Sequence, residues 1–226
     1  MATQRQLRSL THRGTQLSGA LLVALSVMWP HVLAGQPQST DSVQVGDQWV
    51  YETKDESTGF PKETYTQVVT DVSAKEIVVS TTVSGKDFSW LVTYDHDWGR
   101  IDSGIVKFAP SDGQGVRLPL AVGKEWRSEY QARNVHTGTT SKGSVISKVV
   151  AQETVTTEAG TFETFKIETR IRDINAADPS KLWEYENVSW YAPEINHWVR
   201  RTIIAKFQKR TRSNTSEELA DFGRKL

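Results

Sequence analysis

The residues best suited to metal or acid–base chemistry are Asp95, His96 and Asp97, together with the distant His197. Carboxylate oxygens and imidazole nitrogens are common metal ligands, and the run from Asp95 to Asp97 places three such side chains in sequence. Adjacent strand residues point to opposite faces of a sheet, however, and no second histidine stands at ligand spacing from His96. We therefore expect no metal site and no cofactor, with both histidines exposed at hairpin tips. A metal site would need His96, Asp97 and His197 to converge.

Other catalytic patterns are weaker. Glu184 and Glu186 fall on one face of a predicted strand, ~7 Å apart by strand geometry, which is compatible with glycoside hydrolysis. They alternate with Trp183 and Tyr185, which is typical of the wet face of an amphipathic strand. The sequence has no Gly-x-Ser-x-Gly motif and no cysteine. The pattern favours a protein that is not an enzyme, and a metal-dependent hydrolase is the alternative.

The first 34 residues have the order of a secretory signal peptide. Three arginines (Arg5, Arg8 and Arg13) precede an uncharged apolar run over residues 17–29, and small or modest side chains lead to Ala34. We predict cleavage after Ala34; the alternative is an uncleaved membrane anchor. Because the sequence contains no cysteine, lipid anchoring at the cleavage site is excluded.

Charge and composition narrow the location and the partners. The chain has 226 residues with 27 basic and 27 acidic side chains, an ordinary globular composition that excludes collagen-like, disordered and multi-span membrane proteins. Removing a leader with three arginines and no acid leaves 24 basic and 27 acidic residues. Nucleic-acid binding is therefore not expected. An exported chain without disulfides suggests a periplasmic or secreted protein, with no membrane span after cleavage.

The dominant period after the leader is two, which indicates antiparallel strands. Phe88, Trp90, Val92 and Tyr94 share one face of a predicted strand, while their neighbours occupy the other. Turn-forming residues separate further predicted strands at 48–53, 63–70, 76–83, 126–133, 144–155, 165–171, 182–191 and 198–207. We predict an all-β fold with little helix: a curved antiparallel meander forming a half-barrel or open barrel. Residues 216–222 are a final edge strand or a short helix.

One sequence echo suggests internal duplication. Val-Gly-Asp-Gln-Trp ending at Trp49 returns as Val-Gly-Lys-Glu-Trp ending at Trp126, and each copy is predicted to begin a strand. We interpret residues 35–226 as a single β domain made of two similar halves, about 43–108 and 119–222. Residues 109–118 would be the crossover linker between the half-sheets.

Three motifs carry a resemblance to known proteins: Gly46-Asp47-x-Trp49-x-Tyr51, Ala159-Gly160-Thr161-Phe162 and Trp190-Tyr191-Ala192-Pro193. In this order they resemble a group of uncharacterised secreted or periplasmic bacterial β-domains. That group is similar in architecture to the lipoprotein-carrier half-barrels, in which a curved sheet wraps an apolar groove and binds acyl chains or a partner protein. The resemblance spans residues 43–222 and implies fold and location. The resemblance implies no catalytic residue in this sequence.

The aromatic residues give the main functional hypothesis. Buried tryptophans on strands could all be core, since each ring buries on the order of 200 Å². Alternatively, Trp90, Tyr94, Trp183 and Trp198 line an apolar groove on the curved sheet. We therefore expect a non-catalytic binding or carrier module for an apolar ligand, a lipid or a segment of an envelope protein. The second hypothesis is a structural or assembly protein of the envelope that pairs through residues 216–222 as an edge strand.

Overall fold

The computed structural model describes residues 43–224, which form a closed antiparallel barrel of twelve strands. The strands are β1 (Asp47–Asp55), β2 (Pro61–Val72), β3 (Ile77–Val83), β4 (Ser89–Tyr94), β5 (Arg100–Asp102), β6 (Val106–Ala109), β7 (Glu125–Asn134), β8 (Thr140–Thr157), β9 (Gly160–Asn175), β10 (Leu182–Ala192), β11 (His197–Phe207) and β12 (Arg210–Arg224). A single 3₁₀ turn, Pro193–Ile195, is the helical element of these residues. No helix within 43–224 has the length and apolar character needed to span a membrane. The predicted leader and its cleavage site lie outside the described residues.

The all-β antiparallel prediction is confirmed, but the predicted half-barrel is wrong because β12 closes the sheet. Each strand pairs with its neighbours in the chain, and β12 also pairs with β1, for example Trp49 with Phe222 and Tyr51 with Leu219. Residues 216–222 are strand and not helix: residues 216–218 lie between β11 and β1, whereas residues 219–222 pair with β1 alone. The second hypothesis, partner binding by that segment as an edge strand, finds no unpaired strand edge at residues 216–218 and is confined to residues 219–222.

The alternation of the strands divides the barrel into a lumen face and an outer face. On β9, Ile167 and Ile171 are buried, whereas the alternating Glu168 and Arg170 are exposed. On the outer face of β10, Glu184 lies 3.7 Å from Arg172 and Glu186 lies 2.5 Å from Lys206. The lumen face therefore holds the apolar residues, as the period of two predicts.

One end of the barrel is filled by an aromatic cluster, and we call it the closed end. The His197 ring lies 4.1 Å from the Trp49 ring, 4.6 Å from Trp98 and 3.8 Å from Trp198 between centroids. The loop between β6 and β7, residues 110–124, contributes Val116 and Leu120 to the same core. This loop includes most of the predicted linker. It is not a crossover between half-sheets, because β6 and β7 are adjacent in the barrel.

The sequence echo has matching local geometry in its two copies. Gly46 and Gly123 have φ values of 92° and 91°, a region that favours glycine, and each precedes a strand. Gly46 N donates to Val69 O and Gly123 N donates to Val149 O, both at 2.9 Å. The tryptophans that follow, Trp49 and Trp126, are both buried. The division of the domain into two duplicated halves stays a prediction.

Candidate binding site in the barrel lumen

The lumen widens toward the end opposite the aromatic cluster, and we call this the open end. A cleft of about 700 Å³ lies there between β6 and β11. Its aromatic lining residues are Phe108, Tyr130, Trp183, Tyr185 and Phe207. The Trp183 ring lies 4.9 Å from the Phe207 ring, so the wall is continuous between β10 and β11. This aromatic cleft has the volume of a typical small-molecule site.

A second cavity of about 370 Å³ lies across the lumen, against β1 to β5, β11 and β12. We call it the polar chamber, because its lining includes Gln67, Thr81, Arg201 and Glu217. A smaller cavity of about 130 Å³ lies deeper, toward the closed end. Arg100 and Ile203 line all three cavities, which are therefore adjoining parts of one lumen.

Arg201 is the central cation of the lumen. Its Nε donates to Glu217 Oε1, and its guanidinium carbon lies 3.9 Å from the centroid of the Trp198 ring. Tyr65 donates its hydroxyl proton to Glu217 Oε2 at 2.5 Å. Burial lowers the pKa of Arg201, but the charge of Glu217 and neighbouring groups outweighs it and raises the pKa overall. The side chain is 26% exposed even so, because it faces the cavity.

Arg100 forms the second ion pair of the lumen, with Asp112 of the β6–β7 loop. Its Nε and Nη2 donate to Asp112 Oδ2 at 3.0 and 2.9 Å, and Gln114 Nε2 donates to the same oxygen at 2.9 Å. Asn187 Nδ2 donates to Gln114 Oε1 at 2.8 Å. The loop is thus fixed to the lumen wall. Arg100 has 38% of its side chain exposed, whereas that of Asp112 is almost fully buried at 3%.

Several buried polar atoms of the lumen have no hydrogen-bond partner. They are Gln67 Oε1, Thr81 Oγ1, Asn187 Oδ1 and Trp198 Nε1. An unsatisfied buried polar group costs about 1–3 kcal/mol, so such groups are uncommon and call for an explanation. The lumen therefore carries hydrogen-bonding capacity that the described residues leave unused.

The four aromatic residues predicted from the sequence all line the lumen, although in different parts of it. Trp90 stands at the polar chamber with 37% of its surface exposed, and Tyr94 lines both that chamber and the deep cavity. Trp183 lines the aromatic cleft, and Trp198 lines the deep cavity. Their role in ligand binding stays a prediction. Sequence reasoning missed Arg100, Asp112, Arg201 and Glu217.

The weak metal candidates do not converge. His96 is exposed, with Nε2 2.9 Å from Ser73 O, whereas His197 is 1% exposed within the aromatic cluster. The two hairpin tips do meet, but through Trp98 Nε1, which donates to Asn196 O at 2.9 Å. Within residues 43–224 no three histidine, aspartate or glutamate side chains are grouped to hold a metal ion.

The expectation that His197 is an exposed hairpin residue is wrong. It begins β11 directly after the 3₁₀ turn, and its ring stacks on Trp49 inside the barrel. Burial, with the charge of Arg201 adding to it, lowers the pKa of His197 well below its usual value. By contrast, partial burial and the nearby Asp95 raise the pKa of Asp97.

The turns at the open end carry charged side chains, among them the ion pairs of Lys86 with Glu63 and of Lys181 with Asp178, and also exposed apolar ones. Four successive hairpin turns at the open end each expose one large apolar side chain: Phe60, Phe88, Ile105 and Val135.

No protein-family model and no curated protein matches this sequence. Solved structures do match. One, described as an exported protein with a YmcC-like fold from Bacteroides fragilis, is 17% identical with a TM-score of 0.52, covering 80% of this chain and 97% of its own. Another, described as a lipoprotein from Parabacteroides distasonis, is 14% identical with a TM-score of 0.51, covering 80% of this chain and 96% of its own. At these identities the likeness shows the fold alone. The similarity to the lipoprotein carriers stays a prediction.

Proposed function

We propose that this protein is a non-catalytic binding module of the bacterial envelope whose lumen holds a largely apolar small ligand, such as a lipid. The observation that carries the proposal is the aromatic cleft of about 700 Å³ at the open end of the lumen. Small-molecule sites have pockets of this size, and this one combines aromatic walls with polar groups such as Asn134, Asp173 and Asn187. Periplasmic or secreted location is part of the proposal, and it is supported by the leader pattern.

Because the lumen is blocked at the closed end, it is a cavity with one opening and not a channel through the barrel. Trp49, Trp98 and His197 fill that end, and the β6–β7 loop adds Val116 and Leu120. A ligand would enter and leave by the open end. A one-mouthed cavity in a closed sheet suits reversible holding of a small molecule, because the barrel itself need not open.

The charges of the lumen support binding better than catalysis. Arg201 pairs with Glu217, and Arg100 pairs with Asp112. Each carboxylate is committed to a guanidinium, so neither is poised as a general base in the geometry described. Asp173, in the aromatic cleft, is engaged as well, because it accepts hydrogen bonds from Tyr130 at 2.9 Å and Ser141 at 3.0 Å.

A cavity-filling variant tests the proposal. Ala132 is buried and lines the aromatic cleft, so Ala132→Phe should occupy ligand space. Titration with the fluorescent apolar probe N-phenyl-1-naphthylamine should show saturable binding to the wild type and at least tenfold weaker binding to this variant. Gln131→Phe is the matched control, because the adjacent Gln131 is exposed on the outer face of the same strand.

Two outcomes would overturn the proposal: no saturable probe binding to the wild type, or equal affinity in Ala132→Phe and wild type. Circular dichroism and melting temperature establish that Ala132→Phe is folded. If it is not, Trp183→Ala replaces it as the test, since that change removes an aromatic wall of the cleft without adding bulk. Unchanged probe affinity in a folded Trp183→Ala would then count against the proposal.

A further inference from the structure

We infer that the polar chamber binds a neutral, hydroxyl-bearing head group, so that the ligand is an amphiphile with its apolar chain in the aromatic cleft. The inference rests on the proposed function, which it refines by naming the ligand class. It is carried by two buried polar atoms that have no hydrogen-bond partner, by the charges of the chamber and by the continuity of the two cavities.

The unpartnered groups are adjacent. Gln67 on β2 and Thr81 on β3 are directly paired in the sheet register, and both side chains line the polar chamber. They are 7% and 3% exposed, and Gln67 Oε1 and Thr81 Oγ1 have no hydrogen-bond partner. Valine at either of these positions would bury no unsatisfied polar atom and would avoid this cost. An amide oxygen beside a hydroxyl provides an acceptor and a donor to one bound group.

Most of the chamber's charges are paired within the protein: Glu63 of its lining pairs with Lys86, and Lys62 is a further cation of the lining. Arg201 and Glu217 form one ion pair at its wall, and Arg100, which also lines it, pairs with Asp112. An anionic head group would lie near the carboxylates of Glu63 and Glu217, and a cationic one near the cations of Lys62, Arg100 and Arg201. A buried charge without a counter-charge is strongly unfavourable. A neutral head group avoids this penalty.

Hydrogen bonding at Arg201 is also incomplete. Its Nε donates to Glu217, while no hydrogen bond to protein is made by its terminal nitrogens within the described residues. Tyr65, whose hydroxyl donates to Glu217, keeps acceptor capacity on the same wall. Donors and acceptors thus alternate around the chamber. Hydroxyl groups, which both donate and accept, match such a lining better than a group of one kind.

An aromatic ring completes the chamber. Trp90 on β4 pairs with Thr81 in the register and lines the same cavity. Its indole offers an apolar face beside the polar row, which suits the C–H face of a sugar or other polyol. Arg100 and Ile203 line both this chamber and the aromatic cleft, so one molecule can extend through both.

Three probes with chains of eight carbon atoms test the inference: octyl β-D-glucopyranoside, octanoate and octylammonium. Each is titrated, at concentrations below micelle formation, against the protein with bound N-phenyl-1-naphthylamine, and displacement of the fluorescent probe gives its affinity. We expect the glucoside to bind the wild type at least tenfold more tightly than either charged probe.

The double variant Gln67→Leu/Thr81→Val removes the unpartnered groups while preserving side-chain shape. It should lose at least tenfold in glucoside affinity with octanoate affinity unchanged, and its melting temperature should be equal to or above that of the wild type. Thr82→Val is the matched control, because Thr82 is exposed on the outer face of β3. If the double variant does not fold, Thr81→Val alone is used, with the same expected direction.

The outcomes separate this inference from the proposed function. Equal affinities for the three probes, or unchanged glucoside affinity in the double variant, would overturn the head-group inference. The proposed function would still stand if Ala132→Phe weakened all three probes. If neither the eight-carbon probes nor the naphthylamine bound the wild type, both proposals would be overturned.

Discussion

The phenol oxygen of Tyr51 lies 2.5 Å from Nδ1 of His197, a residue 146 positions later in the chain. The Tyr51 hydroxyl also donates to Trp198 O at 2.7 Å. Because the hydroxyl has one proton, Nδ1 of His197 must carry its own proton and donate to Tyr51. The contact joins β1 to β11 across β12, so it helps to hold the closure of the barrel. It also fixes a neutral imidazole in the aromatic cluster.

This contact predicts a loss of stability in mild acid. Burial lowers the pKa of His197 well below its usual value, whereas in the unfolded chain it titrates near ~6.5. Below that pH the unfolded state gains a proton that the native state does not, so the free energy of unfolding falls by up to about 1.4 kcal/mol per pH unit. Above it, both states are neutral and the contribution is constant. Urea unfolding from pH 7.5 to 5 measures the slope.

His197→Asn tests the source of that slope. The asparagine amide can donate to Tyr51 as Nδ1 does, but it does not titrate. The slope of unfolding free energy against pH between pH 6.5 and 5 should therefore fall by up to about 1.4 kcal/mol per pH unit, the value for one proton. Tyr51→Phe keeps the buried imidazole and should lower stability while retaining the slope. An identical slope in His197→Asn and wild type would assign the pH dependence to other groups.

The pair of Arg201 and Glu217 predicts an asymmetry between single and double substitutions. Glu217→Gln leaves an enclosed guanidinium without its counter-charge and should cost about 3 kcal/mol of unfolding free energy. Replacing both residues, as Arg201→Met/Glu217→Leu, should cost clearly less, because no charge is then left unpaired. Chemical denaturation of the three proteins gives the comparison. A double variant less stable than Glu217→Gln would contradict the argument.

The strands could be predicted from the sequence, but the closure could not. Alternation along β4 and β9 is a local signal that shows which residues share a face. It does not specify which strand lies alongside, and the pairing of Trp49 with Phe222 joins distant segments. The short strands β5 and β6 were missed because three or four residues carry too little alternation.

The inward orientation of the aromatic residues could be predicted from the sequence, whereas the polar lining of the lumen was missed. Trp90 and Tyr94 share a face with the buried Val92, so the period of two places them inward. Arg201 shares the parity of Ala205, and Glu217 shares that of Leu219, both buried. That parity was an available signal, but a charged strand residue is usually solvated. Asp112 comes from a loop, where no period applies.

Trp126 is predicted to stabilise the fold without contacting the ligand. It is buried at 7% exposure and belongs to the core cluster, and none of the three lumen cavities includes it in its lining. Trp126→Ala should therefore cost about 3–5 kcal/mol. Trp126→Phe should cost less, because the indole Nε1 has no hydrogen-bond partner to lose. Thermal unfolding measures both. Unchanged melting temperature with lost probe binding in Trp126→Ala would place Trp126 in the binding site.

We predict that position 143 requires glycine, because the ring of Tyr130 covers it. Gly143 pairs with Tyr130 in the register of β7 and β8, and a Cβ at Gly143 would lie 1.9 Å from Cζ of that ring. The ring is held by its hydroxyl, which donates to Asp173 Oδ2 at 2.9 Å, and by edge contact with Phe108 at 5.5 Å between centroids. Gly143→Ala must displace it, and such overpacking costs about 1–3 kcal/mol. Because Tyr130 lines the aromatic cleft, naphthylamine affinity should change as well.

Gly223 provides the matched control for Gly143→Ala. It also lies in a strand, β12, and a Cβ at this position would have no atom within 4 Å. Gly223→Ala should therefore stay within about 0.5 kcal/mol of the wild type and keep its probe affinity. The double variant Gly143→Ala/Tyr130→Leu removes the obstructing ring and should recover part of the stability lost by Gly143→Ala after allowance for Tyr130→Leu alone. Additive effects of the two substitutions in a double-mutant cycle would show that the ring is not what requires glycine at this position.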